Sequence, residues 1–297
     1  MLRVVAHDRF AHHGSRSGYL QILPHLASSA ELTVVQLPLR PRGLRTASEW
    51  SSSRKATADA EAELHIYPEQ TLFPRLASRP VVAICHQPPK RYLSYLPRQA
   101  LLRLALQRAR MVVALGPNQA RGLKAVNPAV HFIPHGVDTD WFSPPSTGPK
   151  DGGYVAVRGW LRDATEHAAL VDVARKLGGQ VLELGGGAPR MSDWDYRATL
   201  RNSTAVLLWI SNGVASNAVL EATSCGKPVL GRLSADLQSY VSEANRAILA
   251  RAVETQLAAQ AQELAYAGDK NRELAVSRHS WPDVAARLLS VVQSRVA

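Results

Sequence analysis

Cysteine is scarce in this 297-residue chain: only Cys85 and Cys225 occur, far apart and each within an apolar run. Such a pair makes neither a disulfide framework nor a metal-ligand cluster, so both read as small core residues. Hydrophobic residues make up 46% of the sequence, yet no run approaches the ~18 consecutive apolar residues that a membrane-spanning helix needs. The first residues already have a strand pattern, with no charged stretch leading into an apolar one, so a cytoplasmic location is expected. Acidic residues are in deficit, 24 against 35 Lys and Arg, and the formal charge is +11. A field of that sign draws polyanions, among them nucleotide diphosphates, anionic lipid headgroups and nucleic acid. Long Lys/Arg tracts are also missing, and the basic residues lack the aromatic interleaving of common RNA-binding modules. That argues against nucleic acid as the main partner.

What is present is alternation. Short apolar, β-branched runs alternate with helix-length amphipathic stretches, the pattern of strand–helix–strand units around buried parallel sheets. The first half supplies strands over 2–6, 32–37, 64–67, 81–85, 111–115 and 130–134, with helices over 19–27 and 92–109. A Pro-, Gly- and Ser-rich break at 143–153, SPPSTGPKDGG, then marks a domain boundary. The second half supplies strands over 154–157, 181–184, 205–210 and 228–230, and helices over 164–176, 193–202 and 217–224. The Ala-, Glu-, Gln- and Leu-rich stretch 243–267 is helical on propensity alone, and 281–296 is amphipathic with Val284, Leu288, Leu289 and Val292 on one face. The expected fold is α/β, two Rossmann-like doubly wound domains facing a cleft. Ligands of such sheets bind beyond the carboxyl ends of the strands, so function is expected on the loops that follow them.

Two segments carry the most specific signal. Residues 132–144, FIPHGVDTDWFSP, resemble the interdomain segment of glycosyltransferase family 4, usually Ile-Pro-Asn-Gly-Val-Asp-x-x-x-Phe-x-Pro, with His135 in place of the Asn. Gly136 is expected to turn the chain and Phe142 to pack. Residues 211–230, SNGVASNAVLEATSCGKPVL, are similar to that family's region of paired glutamates, with its Leu-Glu-Ala-x-Ala-x-Gly-x-Pro-Val-Val ending. Glu221 matches the second glutamate, which the resemblance implies accepts hydrogen bonds from the donor ribose. A carboxylate suits a vicinal diol because its two oxygens can accept both protons. The helix beginning at Asn217 and Ala218 would direct its free N–H groups and positive end at the diphosphate, binding an anion without a cation. Where the family carries its first glutamate, this sequence has Gly213, flanked by Asn212.

Three further segments extend the likeness. VAVRGWLR at 155–162 resembles the strand and loop that supply cations to the donor phosphates, with Arg158 and Arg162 available and the family's Lys absent. Arginine forks bind phosphate oxygens in pairs, although either residue would also serve as a solvated surface charge. HHGSRSG at 12–18 looks like the family's first glycine loop, in which Gly14 would let the backbone approach the phosphate. Strand 81–85 ends in His86, the position of a first-domain histidine whose imidazole can hydrogen-bond the transferred sugar or the acceptor. A lone histidine is also often structural. HSWPDVAARLL at 279–289 is similar to the family's terminal helix, which implies that 281–297 packs back on a first domain of 1–145, with 146–280 as the donor domain.

The resemblance implies a GT-B fold and a retaining transfer of a sugar from a nucleoside-diphosphate donor to an acceptor hydroxyl. Arg158, Arg162 and the Asn217 helix end would stabilise the leaving diphosphate. The acceptor would be a glycan, a lipid-linked molecule or a small molecule, with peripheral contact to anionic membrane through Arg40, Arg42, Arg45 and residues 90–103. No cofactor beyond the co-substrate and no metal is expected. The Asp-x-Asp pairs at Asp138/Asp140 and Asp193/Asp195 have metal-ligand spacing, but one lies in the interdomain segment and the other at a helix start, where Asp caps. A protein of this fold that binds nucleotide or glycan without turnover is the alternative. Gly213 suggests it, as does a second domain that lacks one strand and one helix of the family pattern between 176 and 192.

Overall fold

The computed structural model describes residues 3–8, 18–36, 64–67, 81–90, 97–146, 153–157, 163–185 and 191–296, and elements are numbered over these. The chain divides into two units, Met1–Gly136 with Trp281–Ala297, and Val137–Ser280.

In the first unit, β-branched runs form six parallel strands: β1 (Arg3–Asp8), β2 (Glu31–Gln36), β3 (Leu64–Tyr67), β4 (Val81–Cys85), β5 (Met111–Ala114) and β6 (Val130–Phe132). Their order is β2-β1-β3-β4-β5-β6. The strand sequence reverses direction between β1 and β3, a topological switch point of the doubly wound kind. All four residues of β5 are buried, as expected for a strand covered on both faces. The expected helix over 19–27 opens as a 3-10 turn, Tyr19–Ile22, and becomes α-helical only as α1 (Leu23–Ala27). Pro24 explains the change, because a residue without an N–H is tolerated in the first turn of a helix and not in its middle. Helices α2 (Pro97–Arg108) and α3 (Pro117–Leu123) follow. The terminal helix Trp281–Val296 packs on the 3-10 turn and α1, burying Trp281, Val284, Leu288 and Val292.

The second unit runs β7 (Tyr154–Val157), α4 (Ala164–Lys176), β8 (Val181–Leu184), α5 (Asp193–Asn202), β9 (Ala205–Ile210), α6 (Asn217–Ser224) and β10 (Val229–Leu233). A 3-10 turn, Leu237–Tyr240, leads to α7 (Glu243–Leu249), α8 (Val253–Leu257) and α9 (Ala261–Arg278); the terminal helix is α10. The parallel order β10-β9-β7-β8 puts this sheet's switch point between β7 and β9.

Three expectations are corrected. The units part at Gly136, ahead of the Pro-rich stretch. Residues beyond Gly136 belong to the second unit because Val137 and Phe142 are buried in its core and its side chains grip their backbone. The Ser224 hydroxyl donates to the Phe142 carbonyl at 2.6 Å, and the Arg272 guanidinium donates to the carbonyls of Thr139 and Phe142 at 2.9 and 3.1 Å. Gly136 serves close approach rather than a turn: a Cβ there would stand 2.4 Å from the Trp281 indole. The stretch expected as one helix over 243–267 is broken, with Ala252 and Gln260 in extended conformations at the breaks.

The breaks serve the edge of the sheet. Gln256 Oε1 accepts from the Gly231 N–H at 2.7 Å, and its Nε2 donates to the carbonyls of Gly231, Leu249 and Arg251 at 3.2, 3.3 and 2.9 Å. Asn245 does the same one step back along β10, pairing both the N–H and the carbonyl of Val229 at 2.8 Å. The side-chain amides therefore stand where a neighbouring strand's backbone would, and a straight helix would carry them away. At the opposite edge β8 pairs only with β7 among the described residues, and Leu182 is 47% exposed. No helix among the described residues is long and apolar enough to cross a membrane.

Candidate functional site

In the second unit the switch point sets the geometry. Beyond β9, the Asp163 carboxylate accepts from the Ser211 N–H and hydroxyl at 2.9 and 2.7 Å, tying the start of α4 to the end of β9. The chain then enters α6 at Ser216, whose side chain makes no cap bond. The first-turn N–H groups, at Asn217 and Ala218 among others, have no intrahelical acceptor, and together with the helix dipole they suit an anion.

Glu221 lies one turn further and is only 6% exposed. Its Oε2 accepts a hydrogen bond from the Tyr196 hydroxyl at 2.6 Å, across from α5. Bonds of this kind, with an ionised acceptor, are short and strong. Burial first, then the Glu221 charge and this bond, push the Tyr196 phenol well above its ordinary value. Burial and the Glu221 charge also raise the Cys225 thiol to about 12, against the pull of Lys227, Arg201 and Arg197. Burial depresses the Lys227 ammonium. Glu221 thus sits in a pocket where phenol and thiol stay protonated and where cations gather nearby.

The position of the absent first glutamate is walled by apolar groups. A Cβ at Gly213 would stand 2.9 Å from Leu237 Cδ1 and 3.0 Å from Ile210 Cγ2, and Leu237 is fully buried. The Ser234 hydroxyl donates to the Gly213 carbonyl, which fixes this backbone, while Asn212 is exposed.

In the first unit His86 follows β4 and is half-buried. Gln119 holds its backbone from both sides: Nε2 donates to the carbonyls of Cys85 and Gln87 at 2.7 Å each, while Oε1 accepts from the Leu115 and Gly116 N–H groups at 2.6 and 3.3 Å. The His86 ring meets Tyr19 edge to face at 5.2 Å. Tyr19 in turn abuts His135 at 5.3 Å and Trp281 at 5.5 Å. His135, the residue that departs from the family's Asn, is 4% exposed; its Nδ1 faces the Gly136 carbonyl at 2.7 Å, which settles the proton on that nitrogen.

Of the residues singled out from sequence, Asn217, Ala218 and Glu221 share α6, and His86 stands at a strand end in the other unit. Gly14, Arg158 and Arg162 lie outside the described residues, as do Arg40, Arg42 and Arg45. Sequence reasoning missed Tyr196, Asp163 and Gln119. Asp163 alone carried a signal, an acidic residue directly before a helix. The Asp-x-Asp pairs are used locally: Asp138 Oδ1 accepts from the Trp141 N–H at 2.9 Å, and Asp195 exchanges hydrogen bonds with Ser192 at the start of α5. Among the described residues no three or more His, Cys, Asp or Glu side chains converge as metal ligands.

No family model matches the chain, and no curated protein matches it in sequence. Solved structures do. The catalytic domain of starch synthase IV from Arabidopsis thaliana, bound to ADP and acarbose, aligns with a TM-score of 0.69 at 11% identity, over 99% of this chain and 99% of that one. The Candida albicans trehalose-6-phosphate phosphatase N-terminal domain gives 0.67 at 10% identity, over 99% and 97%. AviGT4, a glycosyltransferase involved in avilamycin A biosynthesis, gives 0.60 at 14% identity, over 100% and 98%. The likeness is one of fold: parallel-sheet α/β architecture with two Rossmann-like domains, as in GT-B glycosyltransferases.

Proposed function

We propose that the chain is a retaining, metal-independent glycosyltransferase akin to family 4, which moves a sugar from a nucleoside-diphosphate donor to an acceptor hydroxyl. The observation that carries the reading is Glu221, a carboxylate 6% exposed on a helix whose N-terminus follows the strand at the switch point. In this reading Glu221 accepts the ribose hydroxyls and the Asn217 and Ala218 N–H groups receive the diphosphate. Arg158 and Arg162 add charge on the leaving group, and Gly14 admits its approach. His86 orients the sugar or the acceptor. The nucleotide-bound neighbour, starch synthase IV with ADP, supports a nucleotide ligand. A cytoplasmic protein that touches anionic membrane through its basic first unit is part of the same proposal.

The test is a panel of nucleoside-diphosphate sugars, scored for binding by calorimetry and for sugar release or transfer by chromatography. We expect one donor to bind and turn over. Glu221→Ala should weaken nucleotide affinity by about 1–3 kcal/mol, the cost of removing a buried charged acceptor; unchanged affinity refutes the assignment. A second reading, a nucleotide- or glycan-binding protein without turnover, is favoured by the apolar groups around Gly213, where a side chain in place of the glycine would have to displace Leu237. Tight nucleotide binding with no sugar release over long incubation would select it.

A further inference from the structure

Helix α5 begins beyond the carboxyl end of β8, and its second residue, Trp194, is 64% exposed. A single exposed aromatic is ordinary on a protein surface, so what matters is how this one is held. This ring is not a loose one. It meets Trp141 at 4.3 Å and 67°, and Arg197, one turn along α5, lays its guanidinium 4.6 Å over the Trp141 ring and 5.6 Å from that of Trp194. Trp141 is fixed in turn by its N–H to the Asp138 carboxylate and by packing on the core. Arg197 thus covers the Trp141 ring, and Trp194 keeps most of its surface in solvent. Asp193 and Asp195, its neighbours along α5, are both exposed.

The chemistry narrows the ligand. A single indole offers far less than the roughly 800 Å² per partner of a stable protein interface. Two carboxylates beside it repel an anionic lipid surface. What remains is a flat apolar face rimmed by donors and acceptors, and a hexopyranose is its complement: axial C–H groups on one face and hydroxyls around the edge. We propose that Trp194, braced by Trp141 and Arg197, forms a stacking platform for a neutral hexopyranose ring of an oligosaccharide, with Asp193 accepting from its hydroxyls. Arg197 also acts on the surroundings of Glu221, through its charge at Cys225, but the platform is probed at Trp194 and does not depend on the transferase reading.

The experiment titrates the full chain with maltohexaose, chitotetraose and mannotetraose, and with UDP and ADP as comparators, following tryptophan fluorescence and saturation-transfer NMR. We expect at least one oligosaccharide to bind and to change the tryptophan emission. Trp194→Ala should weaken that binding by about tenfold or more, and Trp194→Phe, which keeps an aromatic face, by less. Circular dichroism of both variants confirms folding, which an exposed position should not disturb. Three results overturn the proposal: no oligosaccharide binds, all bind Trp194→Ala as they bind the wild type, or only UDP or ADP perturbs the Trp194-dependent signal, which would make the ring a base-stacking surface.

Discussion

The two units hold their candidate polar groups by different physics. In the first, His86 rests edge-on against Tyr19 within a wedge of rings that includes His135 and Trp281, and Gln119 pins the backbone on either side of it. In the second, Glu221 takes its place from the Tyr196 hydroxyl and from charged neighbours, with Cys225 one turn on and Lys227, Arg197 and Arg201 acting on that thiol. Shape governs the first arrangement and charge the second. Disturbing the first should show as lost packing and lost backbone hydrogen bonds, whereas disturbing the second should also change how stability varies at alkaline pH.

The contrast breaks most visibly at Gln119. Gln119→Ala removes its bonds to the Cys85 and Gln87 carbonyls and from the Leu115 N–H. It should cost about 3 kcal/mol in urea unfolding, at ~1 kcal/mol for each of these bonds; an unchanged midpoint would mean that the loop after β4 holds itself. Tyr196→Phe probes the other unit. Loss of the hydroxyl that donates to Glu221 Oε2 should destabilise by about 2 kcal/mol, the range of hydrogen bonds to charged groups, and the same variant should alter nucleotide affinity where Gln119→Ala does not. The smallest effect is alkaline. The Cys225 thiol is raised from 9.0 to about 12, so between those values the folded chain binds more protons than the unfolded one. Its contribution is complete below pH 9 and is lost as pH rises, amounting to roughly 1 kcal/mol at pH 10. Cys225→Ala should flatten the stability slope between pH 8.5 and 10; equal slopes in variant and wild type would remove charge from the account of this site.

Much of the fold was legible because its signals are local. Strands β3, β4, β7, β8 and β9 and helices α4, α5, α6 and α10 begin and end where the alternation of apolar runs and amphipathic stretches placed them. The stretch after β10 was misread because most of its residues favour helix, while the breaks answer to Val229 and Gly231, backbone groups that no window around Asn245 or Gln256 contains. The candidate site divides in the same way. Glu221, Asn217 and His86 stand in segments whose order and spacing are recognisable. Tyr196, Gln119 and Asp163 act on partners 25, 34 and 48 positions away, and nothing near them in sequence announces those partners. The parting of the units at Gly136 was hidden likewise, because composition marks the flexible stretch and not the residues that Ser224 and Arg272 hold in place.

Asn245 and Gln256 give the second sheet a direction of growth. Any additional strand, whether acquired by insertion or donated by a passing peptide, would have to evict two buried amides to register against β10. Among the described residues nothing caps β8 in this way, so enlargement, strand exchange and misassembly of this unit should all begin on the β8 flank.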